Sequence, residues 1–600
     1  MRSSDRRSPL PNPLPAIPGE GTRSRSALAA FFAVVLFCFV GFAPAAVKVD
    51  ALENLPVLDN GRVKPLDTLA RETVRFVTNR ETLEAAAADG SRRKLGPLDA
   101  MLAWHDDRVY WADVPLIYVP NLELRTKLGM DASAKYISPN TLAADKAFDA
   151  WTTELHRRAA EADKTGELNR FTRLEDAAME AARRLGLFDA AADGRLTALV
   201  PTADPGGRWA SVADLHVHPG EASQIPPVFA AVGTAWHDIE TAYHAGDQAA
   251  FDSAVTGLHA RIADAGGKYA DQSRIDREVA YNGVKPFRIV WIAYLFTLMA
   301  LVASLLVKKT WVYAAAMAML IGTIGVHGGA FAFRCSITGW APVTNIYETV
   351  IWVALTAAVF AAVLELIYRS RTIAIGGATT ALITSVIADV MPPEYGHQLR
   401  NLTPVLRSNY WLIIHVLTIV SSYAAFALAC VLGNIVLVQY MLKNRPAEAI
   451  RQNLLFVYRS VQFGVLLVAA GTILGGLWAD VSWGRFWGWD PKEVWALIIL
   501  LTYLALLHGR FAGWVGPFGL AAGSVLCFVT VLMSWYGVNF ILGVGLHAYG
   551  FGAGGQAYVG AYVVAQLAFV CVAKWIHSRR GRETKQKELP ANVVPAAAAS

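Results

Sequence analysis

Five tryptophans fall within eighteen residues, in the stretch Trp478-Ala-Asp-Val-Ser-Trp483-Gly-Arg-Phe-Trp487-Gly-Trp489-Asp490-Pro491-Lys492-Glu493-Val494-Trp495. Indoles offer broad flat apolar faces, and the glycines between them let backbone approach closely, so this composition suits a large planar apolar ligand. Asp490-Pro491-Lys492-Glu493 reads as an N-cap, a proline at the first helical position and an acidic first turn for the helix that follows. The plainer alternative is an interfacial aromatic belt followed by a helix cap.

Histidines near this stretch add a metal-binding chemistry. His415 lies five residues into the apolar run that begins at Tyr410, about 7–8 Å along a helix at ~1.5 Å per residue. His547 lies in the connection Gly543-Val-Gly-Leu-His547-Ala-Tyr549-Gly. By the topology argued below, both share a membrane face with the tryptophan stretch. Two imidazoles flanking an aromatic platform make a bis-His axial site for a haem iron. His508 follows Trp495 by thirteen residues on one helix, so it lies about 20 Å deeper, next to Arg510. It either snorkels at the far surface or supplies a second, inner ligand position. His327 is open between packing and ligation, and His397 reads as solvated. His216-Val217-His218 could bind a metal, but it reads more simply as a pair of surface histidines before Pro219-Gly220. Arg334, Arg400, Arg407, Arg485 and Lys492 sit on the side that positive charge normally avoids. Guanidinium groups hold carboxylates in bidentate fashion, so these residues are candidates for clamping haem propionates, with lipid headgroup contact as the alternative.

The elements that must position these groups are membrane helices. The chain has 600 residues, is 54% apolar and only 17% charged, carries 18 Trp, and has a mean hydropathy of +0.35. Its apolar runs are too long for a globular core. Spans are expected at about 288–307, 311–331, 349–367, 373–391, 410–441, 460–479, 494–509, 517–541 and 557–576, each helical because a bilayer offers backbone groups no water. Alternate connections differ in charge. One set holds Lys308, Lys309, Arg369, Arg371, Lys443, Arg445, Arg451, Arg459, Arg510, Arg579, Arg580 and Arg582, and the other only Arg334, Arg400, Arg407, Arg485 and Lys492. Twelve against five assigns the first set, with the C-terminal tail 579–600, to the cytoplasm.

Residues 1–26 hold five Arg and five Pro and read as a disordered basic cytoplasmic tail. The uncharged run 27–46 is an anchor, or a signal peptide cut after Ala43-Pro44-Ala45. Residues 48–285 are polar, Ala-rich and charge-balanced, with helical periodicity over Thr141–Arg184 and Pro227–Ala265. They are expected to form a mostly helical extracytoplasmic domain. The expected fold class is therefore an all-α polytopic membrane protein: an N-terminal anchor or signal, this outer domain, and about nine C-terminal transmembrane helices. The five cysteines (Cys38, Cys335, Cys430, Cys527 and Cys571) contain no C-x-x-C, which argues against a disulfide framework, a thiol relay and a Cys-based zinc site. The absence of C-x-x-C-H means that the chain is not itself a c-type cytochrome. Nothing in it points to nucleic acid.

Trp483-Gly-x-x-Trp487-x-Trp489-Asp490-Pro491-Lys492-Glu493-x-Trp495, with Leu507-His508-Gly509-Arg510 ending the next helix, resembles the WWD domain of haem-handling proteins. Gly339-Trp-Ala-Pro342-Val-Thr-Asn345-Ile-Tyr347-Glu348, Tyr410-Trp-Leu-Ile-Ile-His415-Val and Gly545-Leu-His547-Ala-Tyr549 agree, so the resemblance covers roughly residues 287–578. It is to the CcsA (ResC) family of System II cytochrome c biogenesis, with CcmC and CcmF as relatives. The resemblance implies that His415 and His547 ligate haem b on either side of the loop, and that His508 is a deeper histidine whose partner is unassigned, His327 being a weak candidate. It further implies a bacterial inner-membrane location and a part in a cytochrome c haem lyase. The partners it implies are a CcsB/ResB-like membrane protein, apocytochrome c with its CxxCH segment, and a thioredoxin-like reductant of the apocytochrome thiols. Region 48–285 does not resemble CcsB. A membrane b-type cytochrome serving quinol or electron transfer, and a haem exporter without ligation activity, remain the alternatives.

Overall fold

The computed structural model describes residues 47–86, 92–165, 171–202, 209–215, 227–264, 271–341, 344–391, 399, 410–442, 447–542 and 555–588. Helices of ten or more residues are numbered here in chain order.

The N-terminal part is built on α1 (Leu66–Thr78), α2 (Pro97–Asp106), α3 (Lys146–Thr165), α4 (Arg173–Ala192), α5 (Pro227–Ala245) and α6 (Gln248–Asp264). The expected helix over Thr141–Arg184 is interrupted, and the one over Pro227–Ala265 breaks at Gly246, whose φ of 73° ends α5 and starts the turn into α6. Thr172 and Glu175 start α4 with a reciprocal capping box. Four small antiparallel ribbons join the helices: β1 (Pro56–Asp59) with β2 (Arg62–Pro65), β3 (Leu83–Ala86) with β4 (Arg92–Leu95), β5 (Ile117–Tyr118) with β6 (Tyr136–Ile137), and β7 (Ala198–Pro201) with β8 (Trp209–Ser211). In the first, Asn60 and Gly61 both take positive φ, the backbone that a two-residue hairpin turn requires. One apolar core, centred on Trp104, Trp111 and Phe188, runs from Val47 to Ile262.

Nine helices among the described residues are long and apolar enough to cross a membrane. They are α7 (Gln272–Val284) continued by α8 (Pro286–Val307), then α9 (Thr310–Thr338), α10 (Ile346–Tyr368), α11 (Thr372–Val390), α12 (Tyr410–Met441), α13 (Ala447–Trp483), α14 (Pro491–Phe511), α15 (Pro517–Leu532) extended by a π-helix over Met533–Leu542, and α16 (Gln556–Glu588). The chain is therefore a multi-pass membrane protein of the expected all-α class. Three helices outrun their expected spans by well over a turn: α9 continues to Thr338, α13 begins at Ala447 and α16 runs on to Glu588, because polar ends extend an apolar helix without a breaker.

Lipid tails are as apolar as leucine, so these helices associate through close packing of small residues. Gly377 of α11 abuts Ala361 of α10, and Gly433 of α12 abuts Ser524 of α15. Helix α12 is the most enclosed span, with 72% of its apolar window buried, and α16 the least, at 11%. The N-terminal part is tied to the bundle through α7. Glu278 of α7 forms a buried two-pronged pair with Arg62, one arm at 2.8 Å, and accepts from Thr68 at 2.9 Å. From the same helix Arg274 donates to the carbonyls of Ile337 and Thr338, filling acceptors left open at the end of α9.

Candidate functional site

His415 faces α13. Its Nδ1 lies 2.7 Å from the carbonyl oxygen of Gly471, which can only accept, so Nδ1 carries the proton and the lone pair of the neutral ring belongs to Nε2. The ring runs nearly parallel to Trp478, 6.2 Å between centroids at 12°. Gly471, Gly475 and Trp478 recur at four and three residues, so they share one face of α13 and form a seat for the imidazole. Any side chain at Gly475 would intrude, since its Cβ would fall 2.7 Å from His415 Cε1.

The next residue seats the tryptophan loop. A Cβ on Gly476 would meet the Phe486 ring at 2.5 Å, so Phe486 packs flush against the helix that also holds His415. Beyond it the Arg485 guanidinium lies against Gly488, with no carboxylate within 4 Å among the described residues. Glu493 folds the loop onto the first turn of α14: its Oε2 accepts from Gly488 N at 2.8 Å and Asp490 N at 3.1 Å. Asp490 returns the favour by accepting from Lys492 N at 3.0 Å, completing a capping box. Trp489 takes φ of 58°, a conformation costly for a bulky residue, and its indole stands 70% exposed and edge-on to Trp487 at 5.8 Å. Trp495 lies one turn into α14, half-buried.

Other candidates are placed differently. Arg334 is buried and engaged: Nε donates to Glu348 at 2.8 Å, Nη1 to Tyr281 at 3.3 Å, and the guanidinium overlies Tyr347. Glu348 also accepts from Thr344 N and Oγ1, so the Thr344-Asn345-Ile346-Tyr347-Glu348 segment serves as a lock between α9 and α10. Sequence reasoning missed this, although an arginine and a glutamate at facing helix ends were its signal. His327 is fully buried among Phe287, Tyr294 and Phe331, with Nδ1 3.1 Å from the Tyr294 hydroxyl, as a packing residue would be. His508 is exposed on the outer surface of the bundle, its Nδ1 bonded to the Leu504 carbonyl one turn back at 2.8 Å. It does not join His415. His547, His397, Arg400, Arg407, His216, His218 and the Trp483 side chain lie outside the described residues. The chain enters the His547 segment through the π-helix, which Trp535 ties to Thr349 and Ser534 ties to Tyr423.

The chain is similar to known proteins. Residues 343–547 match the family described as "Cytochrome C assembly protein". The cytochrome c biogenesis protein CcsA of Prochlorococcus marinus (strain MIT 9312) is 34% identical over 250 residues, 36% of this chain and 79% of that protein. Its counterpart in strain MIT 9301 is 35% identical over 252 residues with the same coverage. Protein NrfI of Wolinella succinogenes is 26% identical over 509 residues, 82% of this chain and 53% of that protein. Residues 287–600 make up only about half of the chain, so this last match extends into the N-terminal part.

Proposed function

The chain belongs to the CcsA family of cytochrome c biogenesis proteins, and from that premise we propose that it holds haem b, as substrate, on the tryptophan loop with His415 as one axial ligand. The observation that carries this reading is the joint seat on α13: consecutive glycines fix His415 and the loop to one helix end, and the Gly471 carbonyl presents Nε2 as the ligating nitrogen. His547 supplies the opposite ligand. Trp487 and Trp489 face the macrocycle, while Arg485 and Lys492 neutralise propionates. Arg334, spent on Glu348, takes no part.

In this reading residues 48–285 and the loop lie outside the inner membrane and the C-terminal tail in the cytoplasm, as the Lys/Arg bias implies. Haem enters from the cytoplasmic side past His508. Apocytochrome c, kept reduced by a thioredoxin-like protein, then brings its CxxCH thiols to the vinyl edge, with a CcsB/ResB-like protein completing the lyase. Each S–H adds across a vinyl C=C, forming one C–S and one C–H bond, with no net oxidation. The chain contributes position more than acid–base chemistry. His415→Ala and His547→Ala should abolish maturation of a co-expressed c-type cytochrome while protein level holds; full cytochrome yield in either would overturn the assignment.

A further inference from the structure

At the seam between the N-terminal part and the bundle lies a cavity of about 190 Å³. Both sides contribute walls: Arg71 and Arg75 from α1, Lys285 at the α7–α8 junction, Phe287 and Arg288 from α8, and Asp389 from α11. The carboxylates in the walls are already matched. Glu81 takes Lys285 at 2.8 Å and Arg288 at 3.8 Å, Asp389 takes Arg288 at 3.4 Å, and Glu72 takes Lys64 at 2.6 Å. Arg71 is occupied by Asp67 at 2.7 Å. Arg75 makes no ion pair within 4 Å among the described residues and meets Glu81, already shared by Lys285 and Arg288, only at longer range, so its guanidinium is the least compensated cation of the cavity.

The depth of the cavity narrows its ligand. Helix α8 starts and α11 ends beside it, and Trp291 donates to Asp389 at 3.2 Å, as an indole does at a membrane surface. Ile289, Ile292 and Phe296 form an exposed apolar ridge along α8, leading into the hydrocarbon. The volume falls below the ~300–1,000 Å³ of pockets that enclose drug-sized ligands, so a porphyrin does not fit. A phosphate group does, with apolar chains continuing down the ridge.

We propose that this cavity binds the phosphate of an anionic phospholipid headgroup, with Arg75 as the cation that holds it. Native mass spectrometry of the full chain, purified, stripped of lipid and re-exposed to phosphatidylglycerol, phosphatidylcholine or inorganic phosphate, tests this. The wild type should retain phosphatidylglycerol over phosphatidylcholine, and millimolar inorganic phosphate should not displace it. Arg75→Gln should weaken retention about tenfold or more, the loss of one charge-assisted hydrogen bond, and Arg75→Lys should restore part of it. Equal retention of both lipids by the wild type, or equal retention of phosphatidylglycerol by wild type and Arg75→Gln, would overturn the proposal. Displacement by inorganic phosphate would overturn the lipid assignment in favour of a soluble anion. The selectivity of the wild type decides the matter even where Arg75→Gln fails to fold, and none of these readouts depends on the haem reading.

Discussion

The imidazole of His415 occupies a notch that exists because residue 475 has no side chain: a methyl there would stand 2.7 Å from Cε1. Gly475→Ala should therefore push the ring off its seat, and Gly475→Leu should eject it. Loss of bound haem at unchanged protein yield is the expected outcome, read from the absorption spectrum of the purified protein. Gly471→Ala should act more mildly on the ring, since its Cβ would meet Ile419 at 3.0 Å.

The loop beside that notch rests on Asp490 and Glu493. Asp490→Ala removes an N-cap, which costs about 1 kcal/mol of helix stability, and frees the Trp487–Trp489 turn. The expected signature is a small drop in melting temperature with a larger loss of haem retention. Equal haem retention in Asp490→Ala would show that the loop is not what orients the ligand.

Arg334 and Glu348 form an ion pair that is almost wholly enclosed, at 2.8 Å. Removing one partner leaves a buried charge, so Arg334→Met should destabilise the bundle by about 3–5 kcal/mol. Arg334→Met with Glu348→Leu should recover much of that loss in thermal unfolding. A propionate-clamping role would instead show as haem loss at unchanged stability.

Burial alone would lower the pKa of His105 in the N-terminal part, but the Glu240 carboxylate at 2.7 Å and the Ala192 carbonyl outweigh it and hold the imidazole above its ordinary value. Both partners only accept, so the charged ring satisfies both. The stabilisation is fully present below the unfolded pKa of about 6.5 and is lost as pH rises through the raised folded value. The wild type should melt at a higher temperature at acid pH than at alkaline pH, and His105→Gln should flatten that difference.

The spans were legible because a bilayer imposes one solution on a long apolar run, and the cap at Asp490 because its chemistry is local. The seat of His415 was not: it depends on which face Gly471 and Gly475 of a separate helix turn toward α12, and helix rotation is set by tertiary packing. Arg334 misled for a related reason. Its charge on the unexpected side suggested a ligand, whereas its counterion, Glu348, lies fourteen residues away across a helix corner. The ribbons of the N-terminal part are two to four residues per strand, too short for alternation to register against a helical background.

The central claim is that His415 ligates haem at the tryptophan loop. A pyridine haemochrome assay on the purified full chain, wild type beside His415→Gly, tests it most directly. The account predicts b-type haem in the wild type, loss in the variant, and its return when imidazole fills the vacated ligand position. Haem retained undiminished in His415→Gly, or absent from the wild type purified together with its partner, would contradict it.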